Sequence, residues 1–202
     1  MRYLLMALMV TGGATWDFEK DEVDKEPAGF EFATTAKTPS GKWVVRKDGE
    51  NKVLVQTDID KTKSRFALAL VKDSSFKDLK LSVRGKPIAG EIDQTVGLVW
   101  RCQDADNYYL ARSNALESNV RLYRVIKGNR TQFAGKDEVK LKKGEWHTLG
   151  IEHKGTAIAV FLNGEKLFEG EDKAIQDGGK IGLWTKSDSM TAFDDLKAEE
   201  LK

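Results

Sequence analysis

Two arginines, two tyrosines, a tryptophan and a lysine in this 202-residue chain combine useful chemistry with a spacing that aims them alike. In Lys180-Ile-Gly-Leu-Trp-Thr-Lys186, Ile181 and Leu183 alternate onto one face of an extended strand, so Trp184 and Lys186 point away from the core. In Val96-Gly-Leu-Val-Trp-Arg101 the apolar phase is Val96, Leu98 and Trp100, which turns Arg101 outward. Val120 and Leu122 likewise claim the core side and send Arg121 and Tyr123 out. The run 107–112 allows either phase; taking Leu110 inward places Tyr109 outward. Aromatic rings stack on the apolar faces of sugars, and arginine donates planar paired hydrogen bonds to hydroxyls or carboxylates. A concave sheet face carrying Arg101, Tyr109, Arg121, Tyr123, Trp184 and Lys186 is therefore suited to a glycan. The same residues can also act as cross-strand pairs on a solvated sheet, and both readings stay open at this level.

Asn114, Glu117 and Asn119 fall between two strands expected to pair. They can reach a ligand beside that face or bond the turn's own backbone. Glu91 and Asp93 resemble the start of the Glu-x-Asp-x-x-Glu strand of family 16 glucanases, but Val96 stands at the third acidic position. A retaining mechanism needs two carboxyls about 5–5.5 Å apart, so conventional family 16 catalysis is disfavoured. His147 and His153 are too isolated for a zinc site, and His147 shares phase with Leu149 and Ile151 as a structural histidine would. Cys102, the lone cysteine, reads as a small buried hydrophobe; no intrachain disulfide or thiolate cluster can form. Asp17 near the first strand, with Asp194 and Asp195 near the last, are the candidates for a structural Ca²⁺. No other cofactor is expected, because no Gly-rich phosphate loop and no Gly-x-Ser-x-Gly elbow occurs.

These side chains must be held by strands. Short runs rich in Val, Ile, Tyr, Phe and Trp recur at 15–18, 43–47, 52–57, 65–71, 78–85, 95–102, 107–113, 119–126, 130–134, 146–153, 157–162, 165–169, 179–185 and 191–199. That spacing implies an all-β, two-sheet antiparallel sandwich. Residues 19–42 lack a strand pattern, hold Pro27 and Pro39, and read as a long surface excursion of the kind that carries function. Asn163-Gly164 between apolar runs marks a type I′ hairpin. Gly128-Asn129 and Gly178-Gly179 mark further turns.

Lys+Arg (33) and Asp+Glu (32) nearly cancel, which argues against a nucleic-acid partner held by counterion release. The lysine run 136–143 is broken by Asp137 and Glu138 and reads as a solvated strand edge. Arg2, the apolar Tyr3 to Val10 and the small residues up to Ala14 read as a secretory signal, cleaved after Ala14 and too short to span a bilayer. Residues 15–202 are then expected to form one domain, secreted or periplasmic.

Gly97-Leu-Val-Trp-Arg101, Asp104-Ala-Asp-Asn-Tyr-Tyr109, Asn114-Ala-Leu-Glu117 and Asn119-Val-Arg-Leu-Tyr123 come in an order that resembles a group of secreted bacterial proteins. Gly144-Glu-Trp-His147, Leu162-Asn-Gly164, Gly182-Leu-Trp184 and Phe193-Asp-Asp-Leu196 continue the likeness, from about Trp16 to Leu196. The group comprises concanavalin A-like and laminin-G-like jelly rolls labelled 3-keto-disaccharide hydrolase domain or family 16-like. The resemblance implies a jelly-roll fold and a carbohydrate partner. Three functions follow from it: a lectin-like module binding a glycan on a sheet face, a hydrolase acting on a (3-keto) disaccharide or related sugar, or a protein-interaction domain of laminin-G type. For the hydrolase the residues build no acid/base pair; Glu117 with Asp104 or Asp188 is named as a guess alone.

Overall fold

A computed structural model describes residues 13–202; most of the expected leader, residues 1–12, lies outside the described residues. The architecture is an all-β jelly-roll sandwich of two antiparallel sheets. The supporting sheet runs β13 (Glu165–Glu171), β12 (Ala157–Leu162), β11 (His147–Lys154), β6 (Leu79–Ala89), β15 (Met190–Glu200), β4 (Asn51–Gln56), β3 (Trp43–Asp48). β1 (Ala14–Trp16) pairs with the C-terminal half of β15, so the two ends of the described chain meet. Along β6, the alternation of Leu79, Leu81 and Val83 with Lys80, Ser82 and Arg84 sets one face to the core and one to water.

The second sheet runs β10 (Asn129–Lys136), β9 (Asn119–Ile126), β8 (Asn107–Asn114), β7 (Thr95–Asp104), β14 (Lys180–Lys186), β5 (Phe66–Val71), β2 (Phe30–Thr34). β5 and most of β7 and β8 are buried on both faces. Leu98, Ala111, Leu122 and Leu183 pack inward against Leu81, Val83, Leu149 and Ile151. A second apolar layer of Phe66, Leu68, Leu70, Val99, Leu110, Tyr123, Val125 and Trp184 lies on the opposite face. Strands buried on both sides show no alternation.

The excursion 19–42 contains a strand after all: Phe30-Glu-Phe-Ala-Thr34 forms the edge strand β2, too short a run beside two prolines to stand out. It leads into a 3₁₀ turn, Thr35–Lys37. The hairpin at 163–164 has φ of 51° and 84°, the doubly positive pair a type I′ turn requires. The β9–β10 turn also has two positive φ values, but at Lys127 and Gly128, one residue earlier than expected. No helix among the described residues is long and apolar enough to cross a membrane.

Candidate ligand-binding face

Across the outer face of the seven-stranded sheet lies Arg130, from the edge strand β10. Its guanidinium carbon is 4.5 Å from the Tyr123 ring centre, 4.8 Å from Phe66 and 5.6 Å from Trp184. β10 and β5 are five strand spacings apart, about 24 Å in a flat sheet, far beyond the reach of one arginine and one phenylalanine. The sheet is therefore curled, and this face is concave. Hydrogen bonds at one end hold the curl. Gly128 N–H donates to the Asp106 carbonyl (3.0 Å), Lys127 N–H to Asn107 Oδ1 (3.0 Å) and Ala36 N–H to Asp106 Oδ1 (2.7 Å).

Phe66, Tyr123 and Trp184 make the floor. Trp184 stands opposite Gly97, whose bare backbone leaves room for the indole. The indole is fixed by a relay: Trp184 Nε1–H donates to Tyr108 Oη (3.2 Å), which bonds Thr35 Oγ1 (2.7 Å), which donates to the Ala105 carbonyl (2.8 Å). The excursion thus contributes to the site by locking its floor through Thr35.

Polar groups line the other end. Arg112 Nη2 donates to Glu117 Oε2 (2.7 Å) and Tyr123 Oη (3.1 Å), and Asn119 Nδ2 also donates to Glu117 Oε2 (3.2 Å). Burial works to raise the Glu117 carboxyl, but the hydrogen bond and charge of Arg112, with Asn119 and Lys186 adding to them, together hold the group below its ordinary value. Lys186 Nζ bonds Asp93, which also accepts from Asn114 Nδ2 (2.7 Å). Burial pushes the Asp93 carboxyl up despite that lysine. The loop before Asp93 is wrapped around Asp188, whose carboxylate takes the backbone N–H groups of Glu91, Ile92 and Asp93.

Six buried side-chain polar atoms have no hydrogen-bond partner among the described residues, and four of them are on this face: Arg112 Nε and Nη1, Arg130 Nη1 and Asn119 Oδ1. Arg112 is only 3% exposed and Asn119 6%. An unpaired buried polar atom costs about 1–3 kcal/mol, so each of the four calls for a partner, water or ligand, that the neighbouring side chains do not supply.

Trp184, Tyr123, Arg121 and Lys186 occupy the outer face in register with one another, although Trp184 is fully buried beneath Arg130. Arg121 sits at the rim, over Gly135, paired with Asp137. Two orientations differ from expectation. Tyr109 is in the main core, stacked on Trp100 at 5.7 Å, and Leu110 is outward; with both phases apolar, hydropathy could not separate them. Arg101 leaves the face because a bulge with φ 44° turns it to the sheet's end, where it bonds the carbonyls of Lys77, Ile175 and Gly155. The same bulge moves Cys102 out of the Trp100 phase into the second layer, where burial pushes its thiol up to about 12.

Asn114 Oδ1 caps its own turn at Leu116 and Glu117, and its amide holds Asp93. Asp104 caps the β7–β8 turn. Arg112, Arg130 and Phe66 were missed as candidates, and Asp93 was weighed only as a family 16 catalytic acid. Arg112 follows Leu110 and Tyr108 by two and four positions, so the correct phase would have found it.

Asp194 and Asp195 share Arg84, at 3.3 and 3.4 Å, and Asp17 Oδ1 caps the Glu19 N–H. Among the described residues no group of three or more His, Cys, Asp or Glu side chains is placed to hold a metal ion. His147 bonds Ser113 Oγ (2.7 Å), and His153 Nδ1 accepts from Trp100 Nε1 (2.8 Å); both are structural.

A family model described as the 3-keto-alpha-glucoside-1,2-lyase-like domain matches residues 16–199. Among solved structures, the carbohydrate-binding module CBM66 from Bacillus subtilis superposes with a TM-score of 0.65 at 20% identity, over 84% of this chain and 95% of that one. A glycoside hydrolase family 16 endo-glucanase from Bacteroides ovatus gives 0.65 at 13% identity, over 93% and 99%. Domain 4 of AbnA, an extracellular arabinanase from Geobacillus stearothermophilus in complex with arabinotriose, gives 0.61 at 14%, over 95% and 92%. No curated protein sequence matches the chain.

Proposed function

The chain belongs to the 3-keto-alpha-glucoside-1,2-lyase-like domain family, and from that premise we propose that it binds a carbohydrate on the concave face of its seven-stranded sheet. The observation that carries this reading is the set of four unpaired buried polar atoms beside the Phe66–Tyr123–Trp184 floor. A sugar matches both halves: its ring faces are apolar and its edges are hydroxyls that donate and accept. Hydroxyls would accept from Arg112 Nε and Nη1 and from Arg130 Nη1, and one would donate to Asn119 Oδ1. Arg130 rests on the floor by cation–π contact, with no side-chain hydrogen bond or ion pair among the described residues. Swinging it aside exposes the rings without breaking a polar bond and leaves its N–H groups at the edge of the sugar that stacks there. The structural neighbours named for carbohydrate binding or glycoside hydrolysis support this choice of ligand.

One feature favours a catalytic variant of the same reading. Glu117 is held as a carboxylate at the mouth of the face, with Arg112 and Asn119 both on Oε2. A lyase needs a base to take a proton from its substrate, and Glu117 would serve only once a bound substrate, by loosening the Arg112 pair, raised its carboxyl toward the working pH. Export, from the leader read at the N-terminus, would put this activity outside the cytoplasm; N-terminal sequencing of native protein that still carries Met1 or Arg2 would contradict it.

A glycan array probed with the full chain tests the proposal. Binding to a defined sugar class, weakened in Arg130→Gln and Glu117→Gln, is expected. No binding to any sugar, or undiminished binding by both variants, would overturn it. Turnover of a 3-keto-glucoside that disappears in Glu117→Gln would favour the catalytic form.

A further inference from the structure

We infer that the glycan this face takes is acidic, with its anionic group seated between Arg112 and Arg130; this rests on the reading of the face as a sugar site. Three cations meet there, Arg112, Arg130 and Lys186, and two carboxylates, Asp93 and Glu117. The carboxylates are already committed. Asp93 is tied to Lys186, and Glu117 to Arg112. Arg130 is left as a part-buried guanidinium with aromatic neighbours but no counter-ion. Burial, with Arg112 adding to it, disfavours its charged form.

Two guanidinium groups close together at low dielectric repel, and a buried charge is tolerated only when it is paired. The other acids around the face are taken as well, Glu31 by Lys180 at one end and Asp137 by Arg121 at the rim. An anion between the two arginines removes the repulsion and uses the free N–H groups of both. A neutral hydroxyl satisfies a donor but leaves the charge. The floor of three rings argues that the anion arrives on a sugar, because an inorganic ion makes no use of an apolar surface. Asn119 Oδ1, an unpaired acceptor, takes a hydroxyl of the same residue. A uronic acid supplies the carboxylate, the hydroxyls and the ring face together.

Matched acidic and neutral probes decide the matter. The array carries oligogalacturonate with its methyl ester, and glucuronosyl with glucosyl oligosaccharides, followed by titration calorimetry of the full chain. Acid members should bind about ten-fold or more tighter than their neutral partners, the margin of a charge-assisted hydrogen bond. The margin should shrink in high salt. In Arg130→Gln the acid-to-ester ratio should fall to about one. Arg112→Lys, which keeps the charge and loses the planar donors, provides a second variant should Arg130→Gln prove unstable. Equal affinity for acid and ester overturns the acidic class and leaves the sugar site standing. Competition by sulfate or acetate alone, with no glycan bound, overturns the sugar reading itself.

Discussion

Gly97 and Trp184 stand opposite each other across β7 and β14, so close that a Cβ on Gly97 would lie 2.9 Å from the Trp184 Cβ and 2.8 Å from its carbonyl oxygen. The floor of the proposed site therefore depends on a missing side chain in the neighbouring strand. Gly97→Val should destabilise the protein by about 1–3 kcal/mol through overpacking and displace the indole. Urea unfolding with tryptophan fluorescence measures both; an unchanged midpoint would mean that the ring has room elsewhere.

Tyr109 separates the core from the site. Its hydroxyl donates to Asp172 Oδ1 at 2.7 Å and accepts the Ile175 N–H at 3.1 Å, on the inner side of the sheet. Tyr109→Phe should cost about 1–2 kcal/mol of stability and leave glycan affinity unchanged. Weakened binding at full stability would return Tyr109 to the face.

What the sequence made legible follows from solvent contrast. Trp184, Tyr123 and Lys186 were aimed correctly because Leu183 and Leu122 claim one side and the other side carries polar groups. In β8 the contrast vanishes. Tyr108 and Leu110 pack in the second layer while Tyr109 and Ala111 pack in the first, so no periodicity marks the phase and Arg112 went unnoticed. Arg101 was lost to a bulge, a one-residue shift that alternation cannot anticipate. Arg130 reaches the floor only because the sheet curls, which no local pattern encodes.

Acid should destabilise the fold through its two histidines. Burial lowers both His147 and His153 from 6.5 to about 4. Above pH 6.5 neither state binds the proton. Between 6.5 and 4 the unfolded chain takes it up and the folded chain does not, so stability falls as pH drops through that window and levels off below it. Each imidazole contributes at most about 3 kcal/mol to the fall. Melting temperatures from pH 7 to 4 should decline, and His153→Gln should flatten the decline. The same slope in the variant would rule His153 out as a source.

The hairpin at 163–164 is a test of turn chemistry apart from packing. A Cβ on Gly164 would meet nothing within 4 Å, yet its φ is 84°. Gly164→Val should cost about 1 kcal/mol or more from backbone strain alone. A neutral result in thermal unfolding would mean that the turn relaxes to another type.

The central claim, a sugar on the floor made by Phe66, Tyr123 and Trp184, is tested most directly by the indole N–H resonances of the five tryptophans. Trp184 donates to Tyr108 on the concave face, Trp100 to His153 in the core and Trp146 to Asp48 on the other sheet. The chain is titrated by ¹H–¹⁵N NMR with the tightest-binding glycan from the array. The Trp184 indole signal should move with saturation, while those of Trp100 and Trp146 stay in place. A shift confined to Trp146 or Trp16, or no glycan that moves Trp184 at all, would contradict the account.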